Sequence, residues 1–161
     1  MLEKTMTQNS ETFNSQSHSS QKSRKTPIDI STNYKTLSLK RFQKFNPVLL
    51  AQLQTLEREN QNEIELIFRG HIPQNFNNRL TDNDLEILSQ ILLPLASEIT
   101  NIDFSCNLIT HKGIKDLCLL LRKAVNLKAL NLQNNTINSE GGNFLFEALI
   151  NLKQQNDHFS L

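Results

Sequence analysis

Apolar side chains recur along this chain at several spacings, and each spacing predicts an element. Leu49, Leu50, Leu53 and Leu56 follow Asn46-Pro47 at helical steps. That spacing predicts an amphipathic helix from Pro47 to about Glu59, with Asn as the N-cap and Pro at the first helical position. After the polar break Asn60-Gln61-Asn62 the period drops to two. Ile64, Leu66 and Phe68 alternate with Glu65, Ile67 and Arg69, which predicts a strand ended by Gly70. From Tyr34 to Phe45 the pattern is mixed, and Lys35, Lys40, Arg41 and Lys44 make the stretch basic.

Farther on, one pattern occurs twice. Ile99, Ile102, Phe104, Asn107 and Ile109 are matched in type by Leu127, Leu130, Leu132, Asn135 and Ile137, 28 residues later. The match continues through Gly113 and Gly141, Leu117 and Leu145, and Leu121 and Leu149. Self-similarity at a fixed period of this size is the sequence mark of a stacked repeat array. The pattern resembles the ribonuclease-inhibitor class of leucine-rich repeats. The phrases RLTDNDLEIL and ITNIDFSCNLIT are similar to small eukaryotic leucine-rich-repeat proteins, some of them associated with cilia.

The resemblance implies an α/β fold, a short leucine-rich-repeat solenoid. Its strand-helix repeats of 28 residues would set a concave parallel sheet against convex helices. Two clear units span 99–126 and 127–154, and a degenerate one spans 63–98. In the degenerate unit, Ile64, Leu66 and Phe68 supply the strand, and Leu80, Leu85, Leu88 and Leu92 continue it. No Asn falls at its turn, and Gly70 to Arg79 reads as an insertion. The repeat domain then covers 63–161, behind a basic approach segment and N-terminal capping helix over 33–62.

Within each clear unit the residue types have physical reasons. Ile102, Phe104, Leu130 and Leu132 are expected to point inward from short parallel strands. Asn107 and Asn135 follow the strands, where a side-chain amide can satisfy backbone groups left unpaired by a turn. Ile109 and Ile137 close the turn from below. Thr110 and Ser139 are the expected N-caps of the helices. Gly113 and Gly141 fall in the first helical turn, where a missing side chain permits close packing. Leu117, Leu121, Leu145 and Leu149 form the inward helical stripe. One such unit cannot offset the entropy of ordering itself, so neighbours and polar caps are required. No capping unit is legible after the last helix. Either the last face is partly open and binds something, or the chain is a truncated member of a longer array.

Composition adds a second region. Residues 1–32 are rich in Ser, Thr, Gln and Asn and poor in large apolar side chains, so a disordered tail is expected there. Within it, QKSRKTP (Gln21 to Pro27) carries three cations beside Ser23 and Thr26. Over the whole chain, 17 basic residues balance 16 acidic ones, which gives no general attraction to nucleic acid or anionic membrane. The first twelve residues hold no apolar core of a secretory signal. No apolar run approaches the roughly 18–20 residues needed to cross a bilayer. With only Cys106 and Cys118 as thiols, a reducing compartment is expected, cytoplasmic or nuclear, with a cytoskeletal or ciliary location implied by the resemblance.

Catalytic motifs are missing. Neither phosphate-binding glycine pattern occurs, and the chain has four glycines. Cys106, His111 and Cys118 match no common zinc spacing, so packing explains them better than a metal does. The acids of Thr81–Asp84 suit a helix N-terminus, capped by Thr81 or Asp82, better than a calcium loop. Lys40, Arg41 and Lys44 near Phe42 and Phe45 are explained as a solvated approach to the first helix rather than a nucleic-acid patch. No cofactor, metal or catalytic residue is expected.

The expected function is therefore a protein-protein interaction module or scaffold component and not an enzyme. Its partner would sit on the concave face built from Glu65, Ile67, Arg69, Asn101, Asp103, Ser105, Ala129, Asn131 and Gln133, or at the open C-terminal end. Self-association through that end fits the same reading. The family resemblance leaves a second function open, activation of a small GTPase, and truncation leaves a third, a fragment with no independent role.

Overall fold

The structure, a computed structural model, describes residues 29–59 and 62–155. The expected polar tail up to residue 28, QKSRKTP included, lies outside the described residues. The described chain runs α1 (Ile30–Phe42), α2 (Pro47–Glu59), β1 (Ile64–Ile67), α3 (Asp82–Leu92), β2 (Ile99–Asp103), α4 (His111–Leu121), β3 (Ala129–Asn131) and α5 (Ser139–Gln155). Two 3-10 helices, Phe76–Asn78 and Leu93–Glu98, flank α3.

Helix α2 forms where the leucine spacing put it, and the buried Asn46 caps it. Its Oδ1 accepts from the N–H groups of Val48 and Leu49, both at 3.1 Å. Helix α1 was missed. It starts at Ile30, inside the stretch expected to be tail, with Asp29 Oδ1 accepting from Thr32 N at 2.9 Å. Ile30 and Tyr34 are buried and Leu37 is half-buried, so a narrow apolar stripe does the packing among polar neighbours.

The three strands form one parallel sheet in the order β1-β2-β3. Leu66 is paired with Ile102, and Ile102 with Leu130. Helices α3, α4 and α5 pack side by side, and α1 packs on both α2 and α3. The core lies between these layers. Ile99, Ile109, Leu85, Leu121 and Leu127 are fully buried, and Ile102, Phe104, Phe68 and Leu117 nearly so.

The expectation of a strand-helix solenoid is corrected. The described residues are 59% helix and 13% strand, an α/β arrangement of five α-helices on a small three-stranded sheet. A solenoid needs uniform units that touch only their neighbours. Here the strands begin at Ile64, Ile99 and Ala129, at unequal intervals, and the β1-β2 register slips between Ile64 and Glu65. The segment after β1 carries a 3-10 helix, and α1 and α2 close that end without any strand of their own. The protein is a helix-rich α/β domain rather than an array of equal coils.

Candidate functional site

Register brings the nine predicted face residues together. Glu65 pairs with Asn101 and Asn101 with Ala129; Ile67 pairs with Asp103 and Asp103 with Asn131. Backbone bonds carry the rows one step further, from Gly70 N to Ser105 O at 2.9 Å and from Cys106 N to Gln133 O at 2.8 Å. Arg69, Ser105 and Gln133 thus extend the same surface. Alternation of side chains along each strand puts this set opposite to Leu66, Phe68, Ile102 and Phe104, which are buried.

The nine residues are not equally available. Glu65, Arg69, Ala129 and Gln133 are exposed, and Ile67, Asn101 and Asn131 are half-buried. Asp103 and Ser105 are buried, so they shape the surface more than they offer it. Burial works against ionisation of Asp103, but hydrogen bonds from Arg69 and Ser105 outweigh it and hold the carboxyl below its ordinary value. Arg69 Nε donates to Asp103 Oδ2 at 2.6 Å, and Ser105 N donates to Oδ1 at 3.1 Å. Asn131 repeats the second contact, accepting from Gln133 N at 3.1 Å. Beside them Asn101 Nδ2 donates to the Glu65 carboxylate. The result is a braced, polar surface with one ion pair and several amide groups.

Beneath the surface, each turn is fixed by an asparagine. Asn107 Nδ2 donates to the carbonyls of Phe68, Phe104 and Ser105 at 2.7, 2.9 and 3.2 Å, while its Oδ1 accepts from Leu80 N at 2.8 Å. Asn135 does the same for Phe104, Leu132 and Gln133, and accepts from Ile109 N. At the turn of the first segment, where no Asn was expected, Asn75 is buried and donates to Arg69 O at 2.9 Å. Cys106 and Asn134 both adopt left-handed backbone, at φ 60° and 55°.

On the helix side one expected cap forms, and other contacts were not legible in the sequence. Thr81 caps α3, its N and Oγ donating to Asp84 Oδ2 at 2.9 and 2.8 Å. Asp82 does not serve α3 alone. It accepts from Thr110 N, Thr110 Oγ1 and Gly113 N, clamping the start of α4. A Cβ on Gly113 would come within 2.5 Å of Asp82 Oδ1, which explains that glycine. In α5 the cap is Asn138, not the expected Ser139: Asn138 Oδ1 accepts from Gly141 N at 3.0 Å. Tyr34 OH donates to Asp84 Oδ1 at 2.5 Å and accepts from Asn46 N at 3.0 Å. Burial first, and Asp84 second, push the Tyr34 hydroxyl well above its ordinary value. The signal for this was the spacing Ile30, Tyr34, Leu37 behind Asp29. The Lys40-Arg41 patch is partly tied down, since Arg41 pairs with Glu86 and also bonds Gln90.

The two cysteines lie apart in role. Cys106 sits in the turn after β2, while Cys118 is buried in α4, its thiol pushed up to about 11 by burial and then by Glu147. Among the described residues, no group of three His, Cys, Asp or Glu side chains is placed to hold a metal ion. No helix among them is long and apolar enough to cross a membrane.

The C-terminal end differs from the middle. Ile109, Leu117 and Leu121 are buried, whereas their counterparts Ile137, Leu145 and Leu149 are half-buried. Leu130 and Leu132, expected in the core, are also half-buried, because among the described residues β3 is an edge strand with no strand beyond it in the sheet. Phe146 of α5 is 63% exposed. In comparisons with known proteins, no family model matches the chain, and no curated protein matches it.

Proposed function

We propose that this chain is a protein-binding module whose partner rests on the polar face of the β1-β2-β3 sheet. The observation that carries the reading is the register that sets Glu65, Asn101 and Ala129 in one row and Ile67, Asp103 and Asn131 in the next. Within these rows Glu65, Asn101 and Asn131 offer hydrogen-bond donors and acceptors at fixed spacing, over a base braced by the buried Asp103 with Arg69 and Ser105. Preorganised groups lose little freedom on binding, which favours a protein surface as ligand. Function resides in a site and not in a fold, and this face is the site. The half-buried apolar patch on β3 and α5 adjoins it and supports a partner, or a second copy, that reaches over that end.

The test is affinity capture from native extract with the full chain, compared with an Asn101→Arg/Asn131→Arg double variant and with Lys115→Glu on the helix side. Both variants are first checked for cooperative melting. A partner retained by the wild type and by Lys115→Glu, but lost with the double variant, is the expected result. A partner profile that the double variant leaves unchanged refutes the reading.

A further inference from the structure

We infer that the free edge of β1, together with the apolar groove beside α2, binds an extended basic peptide segment of the partner by adding it as a strand. Resting on the protein-binding role above, this names where and in what conformation part of the partner is held. Three observations carry it.

The first is the edge itself. Among the described residues β1 pairs on one side only, with β2. Phe68 N donates to Asp103 O at 2.8 Å and Gly70 N to Ser105 O at 2.9 Å, so even-numbered residues direct their backbone groups to β2. In a parallel ladder the alternate residues direct theirs the other way. The N–H and C=O groups of Glu65 and Ile67 therefore point along the free edge, where no described strand meets them. An unpaired edge of this kind is a template for an added strand.

The second is the groove. Helix α2 packs on α1 and leaves a cavity of about 200 Å³ between itself and β1. Leu49, Leu53, Leu56, Leu66 and Phe104 line it, together with the exposed Thr55. An added strand turns alternate side chains to one face, so an aliphatic side chain of the peptide would enter this groove while its backbone meets Glu65 and Ile67.

The third is charge. The last turn of α2 carries Glu57, which accepts from Ser31, and Glu59; Glu65 lies in β1 itself, and Glu63 before it is paired with Lys128 at 3.2 Å. Between Pro47 and Phe68 the one base is Arg58, and of the neighbouring bases Arg69 is spent on Asp103 and Lys128 on Glu63, so the stretch keeps a modest acidic excess. A peptide with Lys or Arg between its aliphatic residues complements that excess, and its binding weakens as salt rises.

The experiment titrates the full chain into a short labelled peptide alternating valine and lysine, followed by fluorescence anisotropy. Three comparisons accompany it: an acidic counterpart with glutamate for lysine, the same peptide N-methylated at alternate residues, and the protein variants Glu65→Lys and Thr55→Arg. Both variants alter exposed side chains, so folding is expected to survive, and melting verifies it. Expected is saturable binding that falls about tenfold or more on N-methylation and in each variant, and is absent for the acidic peptide. No binding by the wild type, or equal binding of the N-methylated peptide, overturns the inference. A doubled mass in light scattering that Glu65→Lys abolishes would assign the edge to a second copy and also overturn it. Peptide binding seen only in a full-length Lys22→Glu/Arg24→Glu/Lys25→Glu variant would assign the groove to the chain's own N-terminal segment, with the same consequence. Loss of this inference alone leaves partner capture sensitive to Asn101→Arg/Asn131→Arg; loss of the wider reading removes that sensitivity too.

Discussion

The side-chain amide of Asn107 donates to the carbonyl of Phe68 at 2.7 Å, bridging from the turn after β2 to the strand beside it. The residue is 3% exposed, and its carboxamide bonds four backbone groups. Replacing it by leucine would strand those groups away from water. Each unsatisfied buried group costs about 1–3 kcal/mol, so Asn107→Leu is expected to lower stability by about 3 kcal/mol or more. Asn135 makes the same kind of bonds but is half-buried, and solvent can replace part of them. Asn135→Leu should cost about 1–2 kcal/mol. Denaturant unfolding of both variants checks the order; equal losses would contradict it.

That pair also shows how much of the fold was legible. Asn107 and Asn135 were visible because they recur at one offset among fixed apolar positions, and the strands and helices around them follow. The parallel pairing of Ile102 with Leu130 was legible for the same reason. The departure from a uniform solenoid was not, because two matched segments say nothing about the rest of the chain. Helix α1 hides among polar residues, its packing resting on Ile30 and Tyr34. Asp82 is ambiguous in sequence, since an acid at one helix start can cap that helix or reach the next one. Leu130 and Leu132 match buried counterparts in type, yet an edge strand leaves them half-buried. Of the candidate face, position was readable and burial was not: nothing in the sequence distinguishes Asp103, which is buried, from Asn131, which is half-exposed.

Tyr34 ties three elements together, as it sits in α1, donates to Asp84 of α3 and accepts from Asn46 at the start of α2. Tyr34→Phe removes both bonds and leaves the buried Asn46 N–H unpaired, at a cost of about 1–3 kcal/mol. The chain has one tyrosine, so its ionisation can be followed directly by absorbance. The folded-state value is raised, so its contribution to stability is complete below the ordinary tyrosine range and is lost as pH rises through the folded value. Tyrosinate should therefore appear only together with loss of helical circular dichroism. Reversible ionisation near the ordinary value in folded protein would contradict the buried hydrogen-bonded placement.

Asp103 titrates in the opposite sense. Its folded-state value is lowered, so its contribution is complete above the ordinary carboxylate range and is lost as pH falls through the folded value. Asp103→Asn should reduce stability at neutral pH and flatten the acid side of the stability curve. The two proteins should converge at the most acidic pH. Arg69→Ala should act in the same direction and more weakly, because Ser105 still bonds the carboxylate. Thermal melts across acidic pH provide the check, and parallel curves for wild type and Asp103→Asn would contradict the assigned ion pair.

The placement of a partner on the sheet face is tested most directly by photo-crosslinking in native extract. A photoreactive amino acid is introduced at position 131 on β3, at position 101 on β2, or at position 115 on α4. Crosslinks to one common protein from 131 and 101, and none to it from 115, are the expected result. A partner captured from 115 and from neither sheet position would contradict the binding face.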